Sequence, residues 1–248
     1  MSFPLSLPQA CSMDTSSLPS DKVRFVCLSD THGKTGLLPF PVPDGDILIH
    51  AGDFTMRGWP REGQEFNNWL GQLPQKHKLV IAGNHDGLLD SKLCARPTDP
   101  QTLLTNATYL QDESVTIYGI KIYGSPWIPE HTSLNSAFSL PRGKALREHW
   151  RAIPPDIDVL VTHGPPWGHC DLTCKGYNVG CKDLLEEVRD RVKPKFHVFG
   201  HFHEGYGKTK SDGTVFMNVS TCDTCYEPIN PPIVFDLSLP SGYSKTPR

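Results

Sequence analysis

Five short apolar runs in this 248-residue chain each end on a residue able to bind a metal ion, and that repetition restricts the fold more than any other feature. Val23-Arg24-Phe25-Val26-Cys27-Leu28-Ser29 leads into Asp30-Thr31-His32, and Ile47-Leu48-Ile49 leads through His50-Ala51-Gly52 to Asp53. Leu79-Val80-Ile81-Ala82-Gly83 leads to Asn84-His85-Asp86. Val159-Leu160-Val161-Thr162 ends on His163-Gly164, and Phe196-His197-Val198-Phe199-Gly200 ends on His201-Phe202-His203. Short apolar runs bounded by glycine and polar residues read as buried strands. Ligands of open α/β sheets gather outside the carboxyl ends of the strands, where the loops converge on a crevice. Asp30, His32, Asp53, Asn84, His163, His201 and His203 all belong to such loops, and Gly52 leaves room beside Asp53.

The segments between the runs complete the fold class. Pro60 opens a helix whose apolar stripe is Phe66, Trp69, Leu70 and Leu73, and Pro74 ends it. A helix between two buried strands is the βαβ signature. A shorter helix is expected over residues 88–94. Val115 to Tyr123 alternates around Gly119 and reads as an antiparallel hairpin. A third helix carries Ala145, Leu146, His149, Trp150 and Ile153; a fourth carries Leu184, Leu185, Val188 and Val192. In the fourth, Lys182/Glu186 and Glu187/Arg191 are spaced for support at i, i+4. Residues 214–219 and 233–237 add two strands. The expectation is an α/β chain of two mixed sheets packed face to face with helices outside: a disordered tail over 1–21, one domain over 22–239, and a C-terminal tail over 240–248.

Charge and cysteine content narrow the partners. The formal net charge is −3 with 21% charged residues, which carries no signature of nucleic-acid or membrane binding. No apolar run is long enough to span a bilayer. The serine- and proline-rich start lacks the basic and apolar regions of a signal peptide. The expectation is a cytoplasmic protein whose eight cysteines are thiols. Oligomeric state has no readable signal.

Carboxylate, imidazole and amide without thiolate suit Mn²⁺, Fe or Zn²⁺ in a reactive centre, not a structural zinc site. Seven ligands exceed one tetrahedral ion and suffice for two, with Asp53 shared. Two ions about 3.5–4 Å apart activate a water and clamp the attacking and leaving oxygens of a phosphoryl displacement.

The ordered blocks Asp30-Thr31-His32, Gly52-Asp53, Gly83-Asn84-His85-Asp86, His163-Gly164 and Gly200-His201-Phe202-His203 resemble the five signature blocks of the calcineurin-like metallophosphoesterases. Tyr123-Gly124-Ser125-Pro126-Trp127 and His203-Glu204-Gly205-Tyr206-Gly207 resemble its metallophosphoesterase-domain-containing subgroup. That resemblance implies a four-layer α-β-β-α sandwich and two divalent ions: Mn first, with Fe, Zn, Co or Mg as alternatives. It assigns Asp30, His32, Asp53 and His203 to one ion, and Asp53, Asn84, His163 and His201 to the other. His85 would act on the phosphoryl group or leaving oxygen, with Asp86 orienting its imidazole by a hydrogen bond. The implied reaction is in-line attack of a metal-bridging hydroxide on a small phosphodiester, with cyclic nucleotides as the implied substrates. Protein Ser/Thr phosphatases carry a second acid where this chain has Met56, which speaks against a phosphoprotein substrate and leaves the role of Arg57 open. A metal- and nucleotide-binding regulator with weak turnover and an interaction scaffold are the competing readings.

The remaining histidines have quieter expectations. His50 and His197 read as core or supporting residues; His77, His131, His149 and His169 read as surface or helix residues, and Trp127 as packing. Cys170 and Cys174 with Cys222 and Cys225 invite a four-cysteine zinc site, but only the last pair has a two-residue gap. These thiols, with Cys181, are better read as lining the crevice loops.

Overall fold

A computed structural model describes residues 20–130 and 136–245 of the chain. Residues 1–19 of the tail expected over 1–21, and His131, lie outside the described residues. In chain order the strands are β1 (Lys22–Leu28), β2 (Ile47–Ala51), β3 (His77–Ile81), β4 (Thr108–Tyr109), β5 (Glu113–Ile117), β6 (Ile120–Ser125), β7 (Ile128–Pro129), β8 (Ser139–Leu140), β9 (Val159–Thr162), β10 (Phe196–Phe199), β11 (Gly207–Ser211), β12 (Thr214–Asn218) and β13 (Ile233–Ser238). The helices are α1 (Pro60–Gln72), α2 (Pro100–Leu103), α3 (Lys144–Ala152) and α4 (Lys182–Glu187).

Two sheets carry the molecule. The first runs β13-β1-β2-β3-β4, with β1 to β4 parallel and β13 antiparallel to β1. The second runs β11-β12-β10-β9-β6-β5, parallel from β12 to β6 with an antiparallel strand at each edge. The central strands are apolar throughout because both of their faces are covered. On β2, Ile47, Ile49 and Ala51 meet the second sheet's Ile122, Val161, Val198 and Met217, while Leu48 faces Phe66 and Leu70 of α1. On the far side, Leu146 and Trp150 of α3 pack with Leu184 and Val188 on Leu160 and Phe199. The layers are therefore α-β-β-α, as expected. Each fully buried Leu, Ile or Phe contributes about 1.5–3 kcal/mol, so Phe66→Ala would cost about 3–5 kcal/mol.

Local chemistry sets the ends of α1 and ties it to the site. Pro60 occupies the first helical position, where its missing N–H costs nothing. Two residues on, Glu62 accepts from the backbone N–H of Trp59 and Met56, each at 2.9 Å, and so holds the loop that follows Asp53. The helix stops before Pro74, whose ring disfavours helical backbone in the preceding residue.

Three details differ from expectation. Residues 88–94 form no helix: a single 3₁₀ turn, Gly87–Leu89, is followed by turns. The Asp90 carboxylate is engaged by the N–H groups of Lys92 and Phe138, both at 2.8 Å, and Leu88 accepts from Thr98, which pulls the segment out of helical register. The fourth helix becomes a π-helical turn over Val188–Val192. Its Glu187–Arg191 pair forms at 2.5 Å, but the Lys182 ammonium lies over the Trp167 ring at 4.4 Å instead of on Glu186. α2, β4, β7, β8 and β11 were not anticipated; α2 is one short turn, β4, β7 and β8 have two residues each, and β11 shows no apolar alternation. No helix among the described residues is long and apolar enough to cross a membrane.

Candidate metal centre

All seven expected ligands, and His85 with Asp86, converge at the carboxyl ends of β1, β2, β3, β9 and β10. Hydrogen bonds between successive loops hold them there: Asp30 N–H donates to Gly52 O, His32 N–H to Asp53 O, and Gly200 N–H to His163 O. Glycine is required where the loops cross. A Cβ on Gly83 would lie 2.5 Å from Asp53 N and 2.6 Å from His163 Cε1. One on Gly52, at φ +96°, would lie 2.6 Å from Ala82 O. Strain concentrates here too. Asp30, His32, Asp53 and His201 all have left-handed backbone, with φ of 51°, 44°, 55° and 70°. That conformation costs about 1–2 kcal/mol for a residue with a Cβ, and such strain clusters where function holds it in place.

Three groups of donor atoms lie within 4.8 Å of one another: Asp30, His32 and His203; His32, Asp53 and His85; and Asp53, His163 and His201. Asp53 Oδ1 accepts the His85 N–H at 2.7 Å, which leaves Oδ2 facing His163 Nε2 at 3.3 Å and His32 Nε2 at 3.9 Å. Asp30 has the same division of labour. Its Oδ2 takes the hydroxyls of Ser29 and Ser220, while Oδ1 stands 3.5 Å from His203 Nε2. Asn84 Oδ1 lies 3.0 Å from His163 Nε2.

The donor set fits divalent cations, because lone pairs meet here without hydrogens between them. His163 Nδ1 donates to Ala51 O at 2.8 Å and His203 Nδ1 to Asp223 O at 2.7 Å. A carbonyl only accepts, so the Nε2 of each neutral ring is a lone pair aimed at the crevice. His203 Nε2 and His32 Nε2 then stand 3.2 Å apart, and His163 Nε2 faces the two oxygens of Asp53 and Asn84. Cations or added protons satisfy such a cluster. Burial opposes charge on His163 and His203, but Asp53 beside the first and Asp30 beside the second outweigh it and lift both to about 9. Burial instead pulls His32 down to about 4 and His201 to about 3. A divalent ion supplies the positive charge that the two carboxylates demand and displaces those protons.

The Asp86 expectation is corrected. Among the described residues its carboxylate bonds to no imidazole; it accepts from Asp53 N–H at 2.9 Å, Gly83 N–H at 2.8 Å, Thr55 N–H at 2.9 Å and the Thr55 hydroxyl at 2.8 Å. Burial first, and then the Asp53 charge, push it up to about 7 against those donors. The partner of His85 is a carbonyl, Met56 O, at 2.8 Å from Nδ1. Asp86 is thus the buried tie between the Gly52-Asp53 and Gly83-Asn84 loops. A backbone carbonyl orients His85, and residue type at position 56 gives no sign of it.

Elsewhere, His50 and His197 are the buried supporting residues expected, whereas none of Cys170, Cys174, Cys181, Cys222 and Cys225 lines the crevice over the centre. His50 is buried against Phe66 and pairs with Thr31 Oγ1 at 3.0 Å, and His197 pairs with Thr162 Oγ1 at 2.8 Å. His149 and Trp127 meet at 4.3 Å and both donate to Asp112. Among the described residues no cysteine joins a potential metal group. Arg57 lies over the Trp59 ring at 5.6 Å. The crevice over the centre holds about 350 Å³ and is also lined by Glu204, Thr224 and Tyr226, which sequence reasoning missed. It shares Asn84 and His85 with a cleft of about 720 Å³ beside Arg57 and Trp59, and His201 with one of about 730 Å³ beside Trp167 and Phe202.

Comparison with known proteins agrees with this geometry. The family model for calcineurin-like phosphoesterases matches residues 23–205. The human protein called metallophosphoesterase domain-containing protein 1 is 48% identical over 242 residues, covering 90% of this chain and 73% of its own. The Caenorhabditis elegans UPF0046 protein C25E10.12 is 45% identical, with 91% and 84% covered. The crystal structure of TT1561 of Thermus thermophilus shares the fold at a TM-score of 0.54 and 12% identity, covering 88% of this chain and 99% of that one. The chain belongs to the calcineurin-like phosphoesterase family, and is a phosphoester hydrolase built to bind divalent metal.

Proposed function

We propose that the chain is a binuclear metal-dependent phosphodiesterase acting on small phosphodiesters, with cyclic nucleotides the first substrates to test. The charge of the crevice carries this reading. Among the described residues no lysine or arginine lines it, Glu204 adds a carboxylate, and Arg57 is turned onto Trp59 in the neighbouring cleft. A phosphomonoester arrives with about −1.5 to −2 charge at pH 7, whereas a diester brings a single charge and needs no cation beyond the metals.

Asp30, His32, Asp53 and His203 would hold one ion, and Asp53, Asn84, His163 and His201 the other. Manganese is the first choice for this oxygen and nitrogen set, with Fe, Zn, Co or Mg as alternatives. When bound, the ions supply Lewis acidity at the phosphoryl oxygens and a water of lowered pKa. The chain supplies the rest. The Met56 carbonyl accepts from His85 Nδ1–H, which leaves Nε2 toward the crevice, and the imidazolium form of His85 would pass its Nε2 proton to the departing oxygen. Asp86 keeps Asp53 and Asn84 in register by binding both of their loops. The enzyme acts in the cytoplasm on small molecules, without nucleic acid or membrane, and its described cysteines remain thiols.

Hydrolysis of bis(p-nitrophenyl) phosphate and p-nitrophenyl phosphate, with and without Mn²⁺, tests the reading. Metal-dependent turnover with the diester preferred is expected. Monoester preference overturns the substrate class. Nucleotide binding without metal-dependent turnover of either compound would put a regulator in the enzyme's place.

A further inference from the structure

Tyr226 is the aromatic residue of the crevice that no ligand motif supplies. Its ring stands 4.8 Å from His32, 5.3 Å from His203 and 6.3 Å from His85, turned edge-on to each at 75°, 79° and 65°. It reaches them from a loop beyond residue 205, where the family match ends. The backbone at Tyr226 is left-handed, with φ of 61°. Glycine or asparagine would take that conformation at less cost, so a tyrosine kept there points to a use for its side chain.

The loop is built to hold the ring still. The Asp223 carbonyl accepts from His203 Nδ1 at 2.7 Å and from the Tyr226 N–H at 2.9 Å, so one atom orients a metal ligand and the tyrosine together. Asp223 Oδ1 accepts from the N–H groups of Cys225 and Glu227, each at 2.8 Å. The Lys34 ammonium binds the Tyr226 carbonyl and pairs with Glu227 at 3.5 Å. The phenol itself has no protein hydrogen-bond partner among the described residues. Tyr206, by contrast, donates to Pro231 O at 2.8 Å.

We propose that Tyr226 is a specificity residue that contacts substrate, its phenol donating a hydrogen bond to a non-bridging oxygen of a monoanionic phosphodiester in a crevice that no lysine or arginine lines among the described residues. This rests on the diesterase reading above. A neutral donor supports a single negative charge without adding the positive charge that would favour a monoester. The ring meanwhile walls the side of the crevice that Asp30, His32 and His203 occupy.

The Tyr226→Phe variant tests it, with Tyr206→Phe as the control. Removing the phenol oxygen should leave metal content and thermal midpoint unchanged. It should lower kcat/KM for bis(p-nitrophenyl) phosphate about tenfold, and weaken binding of inorganic phosphate by a similar factor in calorimetry of the Mn²⁺-loaded protein. The control should match the parent in metal content, kcat/KM and phosphate affinity, with only the small drop in thermal midpoint that loss of its bond to Pro231 O brings. Parent-like kcat/KM and phosphate affinity in Tyr226→Phe would overturn the proposal, as would loss of metal or of stability, which would mark the ring as structural. Absence of diester turnover in the parent would instead defeat the functional reading, and the phosphate titration would still decide on Tyr226.

Discussion

Both carboxylates of the centre, Asp30 and Asp53, come from the first sheet, with His32 and Asn84; the second sheet brings only histidines, His163, His201 and His203. The two halves are held partly by different means. Left-handed backbone in tight loops places Asp30, His32 and Asp53 in the first and His201 in the second. His163 is oriented from across the interface, by the Ala51 carbonyl at the end of β2, and His203 by Asp223 in the loop after β12. The first sheet supplies all of the negative charge and the second only imidazoles, and two of the three donor groups take residues from both. The apolar layer between them, with Ile49 and Ile81 against Val161 and Val198, brings the site together.

Asp53 is where the comparison breaks most completely, because its Oδ2 stands 3.9 Å from His32 of the first sheet and 3.3 Å from His163 of the second. Asp53→Asn should abolish stoichiometric metal binding, measured by elemental analysis, and lower the rate by no less than the loss of one preorganised group does, about 10²–10³. A variant that keeps two ions per chain would show that the centre does not depend on a shared carboxylate.

His85 and Asp86 are adjacent in sequence and separate in role, so their variants should differ. His85→Ala should retain both ions and lose about 10²–10⁴ in kcat. The His85 ring also lies among the donor atoms of His32 and Asp53, and metal loss in this variant would make it a ligand. Asp86→Asn should lower metal affinity about 10–100-fold, as loss of a support behind a ligand does, because an amide cannot accept from all four donors at once. If Asp86→Asn retained metal and lost only turnover, Asp86 would act through the His85 imidazole after all.

Much of this architecture was legible because it depends on residue type in order. The five apolar runs became β1, β2, β3, β9 and β10, and each polar stop fell at the shared edge. The Phe66 and Trp150 stripes became α1 and α3. The parts that escaped depend on atoms every residue has, or on partners far away in sequence. The Met56 carbonyl that orients His85 is such an atom. Asp86 offered a carboxylate next to an imidazole, and the backbone N–H groups of three residues claimed it instead. Residues 88–94 carried helix-forming residues, but Phe138, 48 positions away, took the Asp90 side chain. Tyr226 had no periodicity or motif to announce it.

The smallest expected effect tests the second sheet by itself. His197 sits within β10, buried, and the Thr162 hydroxyl donates to Gly164 O at 2.7 Å, so that hydroxyl accepts from His197 Nε2–H. This chain of bonds runs from the strand to the turn after His163. Burial holds the imidazole of His197 down to about 3, far below its ordinary 6.5. The unfolded chain therefore binds a proton that the folded chain refuses between about pH 6.5 and 3. The stability this gives is fully present above pH 6.5 and is lost as pH falls through that window, at up to about 1.4 kcal/mol per pH unit. Gln in place of His197 can donate to Thr162 and does not titrate. The unfolding free energies of the parent and His197→Gln, measured in denaturant at pH 7, 6 and 5, should thus converge as pH falls, by up to about 1–2 kcal/mol over that range. A constant difference would mean that the imidazole takes up its proton inside the fold, and that β10 tolerates a charge beside the His163 turn.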